Sequence, residues 1–147
     1  MNRKILEERL INFAVITAEI INKMPNNKFA NHLAGQLVRS CTSPALNYGE
    51  TQGAESTKDF VHKMSVVLKE LRESLNCLKI IKRSNSYHSD SSIHKVIAEC
   101  DELVSIFYKS VETASNRKSQ KIKNLYIAKS KIIKSNVGNL KKGSGLI

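Results

Sequence analysis

Four stretches of the chain repeat apolar residues every three or four positions, and each predicts one buried face of an α-helix. Over about 3–24, Leu6, Leu10, Phe13, Thr17, Ile20 and Met24 form a stripe that Ile16 and Ile21 widen. Pro25 with Asn26 and Asn27 ends it, because the residue before a proline is pushed out of the helical region. Over about 28–54 the series is Phe29, Leu33, Leu37, Cys41, Pro44, Ala45 and Tyr48, with Ala30, Ala34 and Ser40 small enough to admit a neighbouring helix. Over about 57–83, Phe60, Met64, Val67, Leu71, Ser74, Leu78 and Ile81 step by four and three, flanked by Val61, Leu68 and Leu75. Ser56 or Thr57 is suited to cap this block, and Lys82-Arg83 suits its C-terminus. Over about 91–117, Ile93, Val96, Ile97, Cys100, Leu103, Val104, Phe107, Val111 and Ala114 make one wide stripe, with Asp90, Ser91 or Ser92 as its cap. Four such blocks with short connections predict an all-α fold, an antiparallel up-down-up-down four-helix bundle over 1–117. Residues 118–147 then form a basic tail, partly disordered or holding a short extra helix.

Arg39–Glu50, RSCTSPALNYGE, is the least regular part of that pattern. A proline inside a helix removes a backbone donor and costs about 3 kcal/mol, and an interior glycine costs up to about 1 kcal/mol relative to alanine. The apolar spacing nevertheless runs through Pro44 and Gly49. Either two helices meet there, or one long second helix runs through, kinked or loosened near Ser43-Pro44; the lengths of the other three helices favour the second. Arg39, Asn47 and Glu50 stand at i, i+8 and i+11, within about 80° of each other on an ideal helix. They form a polar strip beside the proline, read either as structural hydrogen bonding or as an interface.

Charge changes the picture at the C-terminus. Residues 1–112 hold 15 Lys/Arg and 13 Asp/Glu, whereas residues 113–147 hold nine Lys/Arg and no acid, of a net charge of +11. Arg117, Lys118, Lys121, Lys123, Lys129, Lys131, Lys134, Lys141 and Lys142 are therefore the candidate contacts to nucleic-acid phosphates. KIKNLYIAKSKIIK also has the Ile122, Leu125, Tyr126, Ile132 and Ile133 of a basic amphipathic helix, which suits a membrane surface or a docking partner. The longest apolar runs are three or four residues, so no membrane span is expected. MNRKILEERL has no continuous apolar stretch of the kind a signal peptide needs. Cys41, Cys77 and Cys100, each inside an apolar pattern, read as buried free thiols in a reducing cytoplasm.

Catalytic chemistry finds no foothold. His32, His62, His88 and His94 have no metal-ligand spacing with each other or with cysteine, and Glu70 and Glu73 lack the histidine of a di-iron motif. There is no phosphate-binding glycine loop and no GxSxG motif. Ser43 has no accompanying base. The expectation is no catalytic residue, no metal, no cofactor and no enzyme.

VRSCTSPALNYGETQGAESTKDFVHKMSVVLKELRES resembles the second and third helices of the bacterial four-helix-bundle proteins encoded within 23S ribosomal RNA intervening sequences. The residues that carry the likeness are Arg39, Ser43-Pro44, Asn47, Gly49-Glu50, Phe60, Met64 and Leu68-Lys69-Glu70-Leu71, and it spans roughly residues 10–112. SPALNYGE replaces the commoner Ile-Pro-x-Asn-Ile-Ala-Glu-Gly-like run, and the basic tail is longer than the bundle requires. The resemblance implies an antiparallel four-helix bundle assembled as a homopentamer around a central channel, with no established enzymatic activity. A branch related to that family is the accessory protein of diversity-generating retroelements, a basic pentamer, which implies nucleic acid and a reverse transcriptase as partners. Two functions follow as expectations: a non-catalytic oligomeric bundle that binds RNA or DNA through phosphates, or a protein-interaction scaffold without nucleic acid.

Overall fold

The first three helices each open on a side chain that accepts one of the unpaired N–H groups of their first turn. The computed structural model describes residues 1–84, 87 and 91–143. α1 is Arg3–Asn22, with the Asn2 side chain accepting from the Lys4 N–H. α2 is Lys28–Glu50, with Asn27 accepting from the Ala30 N–H at 2.9 Å. A single 3-10 turn, Thr51–Gly53, follows it. α3 is Thr57–Arg83, capped by Ser56, which accepts from the Asp59 N–H. Asp59 at its start and Lys82 and Arg83 at its end oppose the helix dipole. α4 is Ser91–Gly143. Asp90 and His88 lie outside the described residues, as do residues 144–147.

The fold is all-α, and consecutive helices pack in the manner of a bundle. Met1–Glu112 is one compact unit and Thr113–Ile147 is a second. In the first unit, Leu10, Phe13 and Ile20 of α1, Leu37 and Cys41 of α2, Val67, Leu71, Leu78 and Ile81 of α3, and Ile93, Cys100, Leu103 and Phe107 of α4 are buried in one cluster. Tyr48 meets Phe107 edge to face, with ring centroids 5.4 Å apart. Nearly every position in the expected stripes faces this core. Phe29 does not: it is 52% exposed in the first turn of α2, and Ala30 takes the buried position. Ile16 is also exposed.

The expected end of the fourth helix near 117 is not found. α4 continues through Gly143. Residues 113–137 contain no proline or glycine, and Lys, Ala, Leu, Ile and Gln all have good to moderate helix propensity. The apolar core pattern stops near 117, but nothing in the local sequence stops a helix.

Two serines lie in the core. Ser40 of α2 and Ser74 of α3 are both fully buried, and the Ser74 hydroxyl donates to the Ser40 Oγ at 2.8 Å. Their size lets the two helices approach, and the bond satisfies both hydroxyls without water. One helical turn before Ser74, the Leu71 carbonyl accepts from the Cys100 thiol at 3.3 Å, tying α4 to the same part of α3. The three cysteines are buried and free. Burial pushes the Cys41 thiol up to about 11 and the Cys100 thiol up to about 12.

Two outcomes follow. Ser40→Ala leaves the Ser74 hydroxyl without its acceptor and lowers stability by about 1–3 kcal/mol, while Ser40→Ala/Ser74→Ala costs less than the sum of the single changes, as chemical denaturation will measure. The folded thiols ionise at higher pH than the unfolded ones, so the stability they contribute is complete below the ordinary thiol value of about 8.5 and is lost as pH rises toward their folded values. Melting temperature therefore falls over that alkaline window, and falls less in Cys41→Ala/Cys100→Ala.

Candidate nucleic-acid interface

The basic residues of the C-terminal segment stand on α4. Arg117, Lys121, Lys123, Lys129, Lys131, Lys134, Lys141 and Lys142 are exposed, and Lys118 is half-buried. Arg117 and Lys121 are one turn apart, as are Lys118 and Lys121, and Lys131 and Lys134. Like charges at these spacings destabilise an isolated helix by about 0.2–0.5 kcal/mol per pair, and the segment has no acid to offset them. A partner that brings negative charge relieves that repulsion. The cations spread over about two thirds of the helix circumference rather than along one ridge, which suits phosphates on a backbone more than the edges of bases.

The polar strip of α2 is divided among different partners. The Asn47 amide donates to the Ser43 carbonyl at 3.0 Å and to the Ser43 Oγ at 2.9 Å. The Arg39 guanidinium donates to Gln36 Oε1, and Glu50 meets Lys63 at 3.6 Å across to α3. Lys63 also faces Asp59 at 3.8 Å. Asn47 thus adds bonds next to Pro44, whose ring is buried. Thr42 donates to the Val38 carbonyl at 2.8 Å and approaches that of Arg39 at 3.3 Å, so side-chain groups bond the helix backbone on both sides of the proline. Gly49 is helical, and a Cβ there would make only ordinary contact with Glu7 Oε1 at 3.6 Å.

Two clusters escaped the sequence reading. Arg3 lies over the Tyr48 ring at 5.7 Å and donates to Thr51 Oγ1 at 3.1 Å. The Gln52 amide, with its oxygen turned to Arg3, accepts from Nε at 2.9 Å. The start of α1 is thereby locked to the end of α2. Burial raises the Tyr48 phenol, and the nearby Arg3 charge opposes that rise. On α4, Glu99 receives a two-pronged pair from Arg9 at 2.8 Å on each arm, and Glu102 adds a contact at 3.1 Å. The bonds to Glu99 hold the Arg9 guanidinium in its charged form. The i, i+3 spacing of Glu99 and Glu102 was readable as one helix face; its partner 90 residues away was not. Among the described residues no group of three or more His, Cys, Asp and Glu side chains comes together to hold a metal.

The family model described as 23S rRNA-intervening sequence protein matches residues 5–109. A crystal structure of a protein with unknown function from the S23 ribosomal protein family of Bacteroides thetaiotaomicron superposes with a TM-score of 0.67 at 22% sequence identity, covering 76% of this chain and 99% of that one. At that identity the likeness establishes the fold. No curated protein matches the chain. The nine cations of the C-terminal segment lie beyond the matched residues.

Asn47→Ala removes two bonds beside Pro44 and lowers stability by about 0.5–1.5 kcal/mol without changing native mass, measured by denaturation and light scattering. Glu50→Ala, losing only an exposed pair, changes stability by under about 1 kcal/mol. A fall in native mass with unchanged helicity in either variant will show instead that the strip is an interface.

Proposed function

The chain belongs to the 23S rRNA-intervening sequence protein family, and on that premise we propose that it is a non-catalytic, oligomeric helical-bundle protein that binds nucleic acid through phosphate contacts from its C-terminal helix. The observation that carries this reading is the helical segment with nine cations and no acid. Arg117, Lys118, Lys121, Lys123, Lys129, Lys131, Lys134, Lys141 and Lys142 are the proposed contacts. Each cation that neutralises a phosphate releases a counterion, so affinity falls steeply with salt. Aromatic residues are sparse there, Tyr126 alone, which favours backbone binding over base stacking.

Assembly of several copies is the second part of the proposal. Ile5, Val15, Phe29 and Leu46 are large apolar side chains on the first unit that are more than half exposed. Burying such side chains against further copies supplies a driving force for association. Repeating a weakly binding helix in one assembly raises its avidity without any new contact. The ion pairs of Arg9 and Glu50 are structural in this reading. The buried free thiols suit a reducing compartment, consistent with a cytoplasmic protein.

Mobility shifts of the full chain on RNA and on DNA at about 50 and about 200 mM salt test the proposal. The expected result is binding at the lower salt that weakens by orders of magnitude at the higher and disappears when 113–147 are removed. Each Lys→Gln change among the named residues lowers the log–log salt slope by about 0.7–0.9. Absence of a shift at low salt, or a shift unaffected by removing the segment, overturns it. Nuclease-resistant capture of a defined protein partner, together with no shift, favours the scaffold reading.

A further inference from the structure

The phosphate reading leaves one face of the C-terminal helix without a role. At about 100° per residue, Ile122, Leu125, Ile132, Ile133, Val137 and Leu140 fall within an arc of about 140°, with Tyr126 among them. All are large and exposed: Ile122 and Leu125 are each 55% exposed, Ile133 63% and Leu140 75%. Of the nine cations, seven fall outside that arc, and only Lys118 and Lys129 stand within it. Apart from Ile127, which is exposed among the cations, the segment is thus two-sided, with a wide apolar stripe flanked and backed by cations.

Three occupants of the stripe fit poorly. A second copy of the helix brings nine more positive charges and no acid, so pairing stripe to stripe sets like charges side by side. A nucleic acid satisfies the cations but leaves the stripe in water. A neutral apolar groove covers the stripe but leaves the cations without counter-charge. The surface that offers acyl chains directly beneath a layer of phosphates is an anionic bilayer.

We infer that the segment Thr113–Gly143 lies along the surface of an anionic phospholipid bilayer, with the Ile122–Leu140 stripe at the acyl boundary and the flanking lysines on lipid phosphates. The arc is wider than a coiled-coil seam and matches the sector that a helix lying in the interface plane immerses. Lys118 and Lys129 are long enough to carry their ammonium groups back to the headgroups while their stems stay against the acyl layer. No described helix is long and apolar enough to cross a membrane, so the contact is with the surface. The inference goes beyond nucleic-acid binding and uses the same cations. Bilayer and nucleic acid therefore compete for one helix, and lipid releases nucleic acid.

The test is co-sedimentation of the full chain with vesicles of phosphatidylcholine alone or mixed equally with phosphatidylglycerol, alongside an RNA mobility shift at the same salt. The expected result is binding to the anionic vesicles at least about tenfold tighter than to the neutral ones, and displacement of RNA by the anionic vesicles. The stripe variant Leu125→Ser/Ile132→Ser/Ile133→Ser/Leu140→Ser loses vesicle binding at least about tenfold and keeps its RNA shift, because its cations are intact. The variant Lys121→Gln/Lys123→Gln/Lys131→Gln/Lys134→Gln weakens both. All eight substitutions lie outside Met1–Glu112, so the thermal transition of that unit serves as the folding control. Equal vesicle binding by the stripe variant, or no preference for anionic vesicles, overturns the inference. So does a lower native mass of the stripe variant without lipid, which assigns the stripe to contacts between copies. An RNA shift without vesicle binding overturns this inference alone, and vesicle binding without an RNA shift overturns the nucleic-acid reading alone.

Discussion

The closeness of α2 to α3 at Ser40 and Ser74 is the constraint on which the bundle depends. Two fully buried hydroxyls answer each other there, 34 residues apart in sequence. Their bond holds only in one rotation and one register of the two helices. One turn earlier on α3, the Leu71 carbonyl takes the Cys100 thiol of α4. α3 is therefore the element against which two others are set, and its apolar stripe is correspondingly regular from Met64 to Ile81. Apolar contacts supply most of the driving force, but they tolerate sliding; the paired polar groups penalise it, because a shift leaves buried hydroxyls unsatisfied.

Pro44 makes sense in that setting. It removes a donor from a helix that the α3 contact still requires to be continuous. Its ring is buried, and the backbone donor it lacks is the one that would have met the Ser40 carbonyl; Thr42 on the Val38 carbonyl and Asn47 on Ser43 add bonds beside that gap. Arg3 then closes the far end by lying on Tyr48 and bonding Thr51. Arg39 and Asn47 bond within α2, and Glu50 meets Lys63 of α3.

α4 carries two chemistries along its length. Ile93 to Phe107 face the common core, with Glu99 and Glu102 holding Arg9 of α1. From Thr113 onward the acids are gone, and the apolar side chains are exposed. The first unit is self-sufficient in charge and core. The second has an excess of one charge and exposed large apolar side chains. The proposed phosphate and bilayer contacts therefore sit in the part of the sequence that lies beyond the family match, and the proposed assembly contacts within it.

By itself the sequence determined the helices, because apolar periodicity is a local property that survives without knowledge of any neighbour. The third helix is found over Thr57–Arg83, where its pattern and its Ser56 cap place it. The Pro44 helix, the all-α class and the acid-free C-terminus were equally legible. The end of α4 is not legible, because the pattern marks where burial stops rather than where a helix stops. Phe29 is exposed despite its spacing, because periodicity names a face but does not say whether a neighbour reaches its first turn. Only the tertiary structure decided which polar groups meet. Ser40 with Ser74, Arg9 with Glu99 and Arg3 with Tyr48 are separated by 34, 90 and 45 positions. No spacing rule connects residues so distant; their pairing exists only once the packed helices have set rotation and register.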